Sequence, residues 1–324
     1  MSLTEAQLKA KSEAEIKRNP HPDFKKVEGS RPAFDAASNF RYSKTPAPQW
    51  QFGSGANSLQ TAADAAKAHV AIDPYEEGRP AAFNYKLLIS AIVPRPIAFV
   101  STRSKDGRVE NLAPFSYFQM VGSDPPLFVV GFVGALAADS RARDSLRNLV
   151  DSGECVINII SEHYVEAANS TSINAPYGTS EWAVSGLTPA YDCVDVKCAR
   201  VKEAVFSVEG KLESAREFES RQTPGKKTSV LAVIEGTRFW VREDALNKDK
   251  NLIDPAVLRP MSRLGGVTYG RVTEAFELLR PDWDKDFGGQ EAYEKLEKQR
   301  FGINGDAANG TNEGSQAASG AGSA

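Results

Sequence analysis

The sequence predicts a mainly β fold, a closed antiparallel barrel carrying a few peripheral helices. Three observations predict it. Short apolar runs opened by turn residues recur through the middle of the chain, helix candidates there are few, and strands do not alternate with helices as βαβ units require.

The elements follow in order. Pro94 and Pro96 fix φ and lack an N–H, so Arg95 is extended and a strand starts only after them. Ile97 to Val100 is the apolar run of that strand. Ser104-Lys105-Asp106-Gly107-Arg108 supplies an Asp-Gly hairpin that returns the chain through Asn111 to Phe118. Asp124-Pro125-Pro126 is a turn opening a strand over Leu127 to Phe132. Ser152-Gly153-Glu154 turns into a buried strand beginning at Cys155. Further strands are predicted at Val205 to Leu212 and at Ser229 to Val241, the latter bending at Gly236. Helices are predicted at Ser145 to Asp151, with Asp144 as N-cap, and at Glu162 to Thr171 and Asp284 to Arg300.

The flanks read differently, which divides the chain into an arm (1–80), a barrel (81–285) and a C-terminal helix with a flexible tail (286–324). In the arm, Thr4 to Arg18 and Ala62 to Val70 are helix candidates; elsewhere it has no sustained period. Phe40, Trp50 and Phe52 argue that it docks on the barrel or on a dimer partner, with disorder as the other reading.

Composition bounds the function. With 324 residues, 41% hydrophobic and 25% charged, and a net charge of -3, the chain can bury a core and lacks the basic excess of a nucleic-acid binder. No apolar run is long enough to span a bilayer, and no signal-peptide layout opens the chain, so no membrane association is expected. Three cysteines, none in C-x-x-C, fit a reducing, cytoplasmic setting.

The chemistry concentrates in two places. Ser101, Thr102, Asn111 and Ser116 offer donors and acceptors, and Phe115, Tyr117 and Phe118 offer ring faces, which together suit a flat, polar-edged ring. Arg141 and Arg143 stand just before a helix start, with Ser145 in its first turn, which suits a phosphate.

These segments resemble the flavin reductase-like family of FMN-binding split barrels, where R-P-x-A-x-x-S-T leads through a hairpin into N-x-A-P-x-S-x-F. Arg95, Pro96, Ala98, Ser101, Thr102, Asn111, Ala113, Pro114, Ser116 and Phe118 occupy the matching places. The family's K-D-T or K-D-S with a following asparagine corresponds to Arg143-Asp144-Ser145 and Asn148, the arginine keeping the charge and adding a bidentate fork. Its late R-x-G-G-x-x-Y element corresponds to Arg263 through Tyr269, and the likeness runs from about Phe83 to Trp283.

The resemblance implies an antiparallel Greek-key barrel that binds FMN and uses NADH or NADPH as co-substrate. Arg95, Ser101, Thr102, Asn111, Ala113, Pro114, Ser116, Tyr117, Phe118, Arg263 and Tyr269 would serve the ring, and Arg141, Arg143, Asp144, Ser145 and Asn148 the phosphate. It also implies a homodimer, with an oxygenase as a possible partner. Two functions stay open: a flavin oxidoreductase, and a flavin-binding protein without turnover whose arm covers the ring.

Each group also has a structural reading. Arg95 can pair with a surface carboxylate, Ser101 and Thr102 can face solvent, the aromatics can be barrel packing, and Arg141, Arg143 and Arg147 can form a solvated helix face. Their joint order in the chain favours a site. Of three histidines, His21 and His69 lie in the arm, so no metal cluster is expected, and His163 is the one candidate acid or base. Cys155, in a buried strand, is expected to be inert.

Overall fold

The computed structural model describes residues 19–37, 39–136 and 144–301. The helix expected over Thr4 to Arg18, together with Arg141 and Arg143, lies outside the described residues, as does the tail beyond residue 301.

Seven strands form one antiparallel sheet: β1 (Ala98–Arg103), β2 (Glu110–Phe115), β3 (Phe118–Ser123), β4 (Pro126–Val133), β5 (Glu154–Ile159), β6 (Phe206–Glu219) and β7 (Lys227–Val241). The spatial order is β2-β1-β5-β6-β7-β4-β3. β2 and β3 are consecutive in the chain yet stand at opposite edges of this order. Three Cα–Cα steps join Phe115 to Phe118, a reach of about 11 Å at most, so the two edges must meet at that corner and the sheet curls on itself. The corner is held by the Gly131 amide donating to the Tyr117 carbonyl at 2.7 Å. A Cβ on Gly131 would sit 3.0 Å from the Tyr117 Cβ, so a glycine lets the strands approach there. Pro114 is tolerated because β2 is an edge.

β1 is buried on both faces, which is why its apolar run does not alternate. Ala98 and Val100 face the core shared with Phe118, Phe128, Phe132, Leu146, Leu149 and Cys155. Ile97 and Phe99 face a second core with Leu112, Tyr164, Trp182 and Met261. The Asp-Gly hairpin forms as expected: Gly107 has φ +74°, and Asp106 accepts from the Ser104 hydroxyl at 2.7 Å and the Arg108 amide at 3.1 Å. β7 carries a register shift between Gly236 and Arg238, beside the predicted bend.

The helices depart more from expectation. α1 (Ala81–Ala91) was not anticipated, because Phe83, Leu87 and Leu88 stay exposed and only Ile89 is buried, leaving no amphipathic period to read. α2 (Asp144–Ser152) contains Asp144 in its first described turn, so Asp144 is helical and is not the cap. The expected Glu162 to Thr171 helix is a 3₁₀ turn, Glu162–Tyr164, followed by α3 (Val165–Ser170). The Tyr164 hydroxyl donates to the Ile159 carbonyl at 2.5 Å and its ring is buried, which fixes the junction. A short α4 (Glu181–Ser185) packs against β2. The helix expected at Ala62 to Val70 is the single turn Ala62–Ala65. The C-terminal helix is a π turn, Trp283–Phe287, then α5 (Gly289–Phe301), separated where Gly288 and Gly289 take positive φ.

Contacts divide the chain into two compact units, one drawn from Met1–Arg41 and Val70–Ala275, the other from Tyr42–His69 and Phe276–Ala324. In the second unit Trp50 packs edge-on to Phe52 at 5.8 Å, Phe52 to Phe287 at 5.0 Å, and Phe287 lies 5.0 Å from Trp283. Phe52 of the arm thus has an aromatic partner in the C-terminal segment, and Trp50 packs on Phe52.

Candidate functional site

The expected site residues gather at two poles. The first forms where α2 meets the β1–β2 hairpin. Thr102, Asn111, Ser145 and Asn148 are all buried there. Ser145 and Asn148 are three residues apart, one helical turn, and so project from the same side of α2 toward the sheet. The Asn148 amide donates to the Thr102 hydroxyl at 3.4 Å, and the Tyr177 hydroxyl donates to Asn148 Oδ1 at 3.0 Å. Asn111 and Ser145 lie 2.6 Å apart. With the Asn111 amide turned so that both ends are satisfied, Oδ1 accepts from the Ser145 hydroxyl and Nδ2 donates to Glu181 Oε2 at 3.0 Å. Glu181, itself buried, also accepts from the Leu112 amide at 3.3 Å.

The second pole lies at the start of the same strand. Arg95 and Arg263 exchange backbone hydrogen bonds, Arg95 N to Arg263 O at 3.1 Å and Arg263 N to Arg95 O at 3.0 Å. The Arg95 guanidinium is buried and points at carbonyls: Nη1 donates to Ile89 and Ile92 at the end of α1, and Nη2 reaches Gly265 at 3.5 Å. Its Nε donates to the Ser116 hydroxyl at 3.5 Å. Burial pulls the group below its ordinary value. Arg95 is therefore no surface ion pair; it fastens α1 and the Gly265 loop to β1. Arg263 lies 4.3 Å over the Tyr269 ring, and the Tyr269 hydroxyl donates to Asn169 at 2.9 Å.

Strand pleating separates residues adjacent in sequence. Thr102 continues the Ala98, Val100 face and reaches α2, whereas Ser101 continues the Ile97, Phe99 face. Both are buried, which rules out the solvent-facing reading. Phe118 is core, stacked 6.1 Å from Phe128, while Tyr117 is exposed and Ala113, Pro114 and Ser116 are half-buried. Thr102 and Asn111, grouped with the ring end on sequence, are brought by the structure to Ser145 and Asn148. Arg95 and Thr102 are seven residue steps apart, roughly 23 Å of extended chain.

Beside the first pole is a cleft of about 800 Å³ between the Ser104–Val109 hairpin and α2, with Lys105, Arg147, Val150 and Tyr177 on its walls. Arg147 stands 4.2 Å over the Tyr177 ring. Glu181, Tyr177, Lys105 and the role of Arg147 were not read from sequence. Glu181 and Tyr177 reach the pole across 69 and 29 residues, and neither sits in a motif.

His163 is exposed, its Nε2 3.0 Å from the Glu203 carbonyl, and joins neither pole. Cys155 is fully buried and burial pushes its thiol well up, which makes it an unreactive core residue. Burial likewise pushes Cys193 and Cys198 up to about 12. Among the described residues no cluster of metal-ligating side chains occurs, and no helix is long and apolar enough to cross a membrane.

The fold is an antiparallel barrel whose first pole is a buried hydroxyl and amide junction beneath a helix start. Residues 90–258 match the family described as flavin reductase like domain, and the chain belongs to that family. Two curated relatives, both described as uncharacterised, are YwrF of Bacillus subtilis and a protein of Deinococcus radiodurans. The first is 36% identical over 197 residues, covering 61% of this chain and 93% of the relative. The second is 33% identical over 227 residues, covering 68% and 95%. Nitrilotriacetate monooxygenase component B from Bacillus cereus is 36% identical with a TM-score of 0.60, over 65% of this chain and 100% of that one. The 2-nitrobenzoate 2-nitroreductase NbaA of Pseudomonas fluorescens is 25% identical with a TM-score of 0.56, over 67% and 98%. A split barrel domain protein from Shewanella frigidimarina, 20% identical at a TM-score of 0.50 over 64% and 94%, shares the fold, so the barrel is a split barrel.

The cleft beside the first pole carries the charge that the phosphate end of a flavin nucleotide needs. The Ser145 hydroxyl and the Asn148 amide are spent on Asn111 and Thr102 and so brace the helix start, while Lys105 and Arg147 in the adjoining cleft supply the positive charge a phosphate requires.

Proposed function

We propose that this protein is an FMN-dependent oxidoreductase that takes hydride from NADH or NADPH. The observation that carries this is the buried junction of Thr102, Asn111, Ser145 and Asn148 under α2, beside an open cleft. Lys105 and Arg147 would hold the phosphate end beside the helix start that Ser145 and Asn148 brace, with Arg141, Arg143 and Asp144 assigned to it by sequence order. Arg95, Ser116, Arg263 and Tyr269, with backbone from Ala113 to Phe118 and the Ser101 hydroxyl, would form the ring end.

Bound FMN supplies the hydride-carrying centre, which no side chain of the chain provides. The protein's part is to bind, orient and keep water out. Asn111, tied to both Ser145 and Glu181, fixes the hydroxyl that faces the helix start. Arg95 fixes the second pole by locking α1 and the Gly265 loop onto β1. The likeness to a monooxygenase component and to a nitroreductase supports an electron-delivering role, with a separate oxygenase as a candidate acceptor. A Greek-key closure, a homodimer and a cytoplasmic setting belong to the same reading.

The test is anaerobic. FMN is titrated into the purified protein, then NADH or NADPH is added while flavin absorbance is followed. Rapid bleaching is expected. Retained flavin with an unchanged oxidised spectrum would indicate a flavin-binding protein without turnover, and failure to take up FMN would sink the reading.

A further inference from the structure

A second, smaller pocket lies against the 3₁₀ turn Glu162–Tyr164. None of its lining residues belongs to either pole or to the cleft beside α2. Asn39 and Phe40 of the arm form one wall, and residues within 255–261 and 271–273 form the rest. Most of that wall lies outside the stretch 90–258 that matches the family.

Three charged side chains line the pocket, and they do not balance. Glu162 Oε2 accepts from Arg259 Nη2 at 2.6 Å and from Arg259 Nε at 3.1 Å, while Oε1 accepts from Arg271 Nε. Burial raises the Glu162 carboxyl, but these hydrogen bonds outweigh it, so the group is ionised at neutral pH. One carboxylate is therefore shared by two guanidinium groups, and the lining carries one net positive charge. Among the described residues, Nη1 of Arg259 and both Nη atoms of Arg271 make no hydrogen bond, so each arginine keeps its outer N–H edge.

Both arginines are held in place. Arg259 takes φ +44°, a left-handed conformation that glycine adopts freely and a residue with a Cβ adopts at a cost, and such strain gathers at ligand clamps. Its carbonyl accepts from the Glu162 amide at 2.9 Å, which fixes the two residues side by side. Arg271 is stacked 5.0 Å over the Phe34 ring.

Size and charge together select the ligand. A volume of about 40 Å³ holds roughly three water-sized groups. The unspent N–H edges suit a planar oxyanion, and a single net charge suits a monoanion. Phe40, Met261 and Val272 offer apolar surface to a short alkyl remainder. A phosphate or sulfate dianion would leave one of its charges uncompensated. We propose that this pocket binds a small monocarboxylate of acetate size on the outer edges of Arg259 and Arg271. The site does not rest on the flavin reading.

The probe is sodium acetate, titrated into the full-length protein at constant ionic strength and followed by magnetisation transfer to its methyl protons. Saturable transfer at millimolar acetate is expected, with affinity about tenfold lower in Arg271→Gln. That variant keeps the pair of Arg259 with Glu162. Glu162→Gln keeps both arginines, releases their inner donors and raises the lining charge, so acetate affinity should rise about tenfold. A purely structural ion pair predicts no such gain. Absence of saturable transfer in the wild type, or an affinity left unchanged by either variant, overturns the proposal. Displacement of acetate by an equal concentration of sulfate would show a general anion site and would overturn the assignment to a monocarboxylate.

Discussion

Two buried polar centres of this barrel look alike by burial and differ in what surrounds them. Glu209 in β6 is fully buried, and its carboxylate accepts from the amides of Val194, Asp195 and Val196 and from Trp240 Nε1 at 2.7 Å. Its donors come from one loop and one neighbouring strand, and it does not line the cleft beside α2. Its work is to tie that loop to the sheet. The junction of Asn111, Ser145, Asn148 and Glu181 is as deeply buried, yet it sits beneath a helix start with an 800 Å³ cleft beside it. The difference teaches that satisfied burial marks structure, and that burial next to open volume marks a site.

The largest expected effect tests the structural half. Glu209→Ala leaves those amides and the indole N–H without their acceptor, which is expected to cost about 3 to 5 kcal/mol in urea unfolding. FMN affinity of the folded protein should stay unchanged. A loss below about 1 kcal/mol would break the comparison. Ser145→Ala tests the other half: FMN affinity should fall by about 1.5 to 3 kcal/mol, with about 1 kcal/mol lost in stability. Arg143→Ala, at a position outside the described residues, should weaken FMN equally if it meets the phosphate, and should leave stability alone. Titration by flavin fluorescence reads both, and unchanged FMN affinity in either would remove that residue from the phosphate end.

A third carboxylate, exposed on one side, sharpens the contrast with Glu209. Burial pushes the Glu162 carboxyl up, but hydrogen bonds from Arg271 and Arg259 outweigh it and hold the group below its ordinary 4.5. A lowered folded-state value means the stabilisation is present above about pH 4.5 and is lost as pH falls through the lower value. Both arginines are more than a third exposed, so Glu162→Gln should cost only about 1 kcal/mol at pH 7. Acid unfolding should be less steep in that variant. A steepness equal to wild type would show that the arginines do not stabilise the carboxylate.

Much of the fold was legible because its signals are local. The paired prolines, the Asp-Gly hairpin and the Asp124-Pro125-Pro126 turn each declare a strand boundary within a few residues, and the structure keeps them. Ser145 and Asn148 were legible as a pair because a helix brings i and i+3 together. Their partners were not, since Thr102, Asn111 and Glu181 arrive through sheet order and through packing of α4 on β2. α1 was illegible for another reason: its apolar residues stay exposed on several sides, so no period betrays it. Ser101 and Thr102 were grouped at one edge despite strand alternation, and the pleat separates them.

The smallest expected effect concerns the residue whose chemistry drew attention on sequence. His163 is the sole histidine in the barrel sequence, and histidine is the usual acid or base near neutral pH. Its placement argues otherwise. The ring stands on the exposed 3₁₀ turn, edge-on to Tyr164 at 5.1 Å, with Nε2 at the Glu203 carbonyl. A ring nitrogen facing a carbonyl oxygen at 3.0 Å must carry the proton, so that nitrogen cannot serve as a base without breaking the contact. Hydride transfer through a bound flavin asks for no protein base. His163→Ala is therefore expected to change the rate of NADH-driven flavin bleaching by less than about twofold across pH 6 to 8, the range in which a histidine base would show. A larger fall that tracks the histidine titration would place an acid or base outside both poles, and the two-centre contrast would then omit the group that limits turnover.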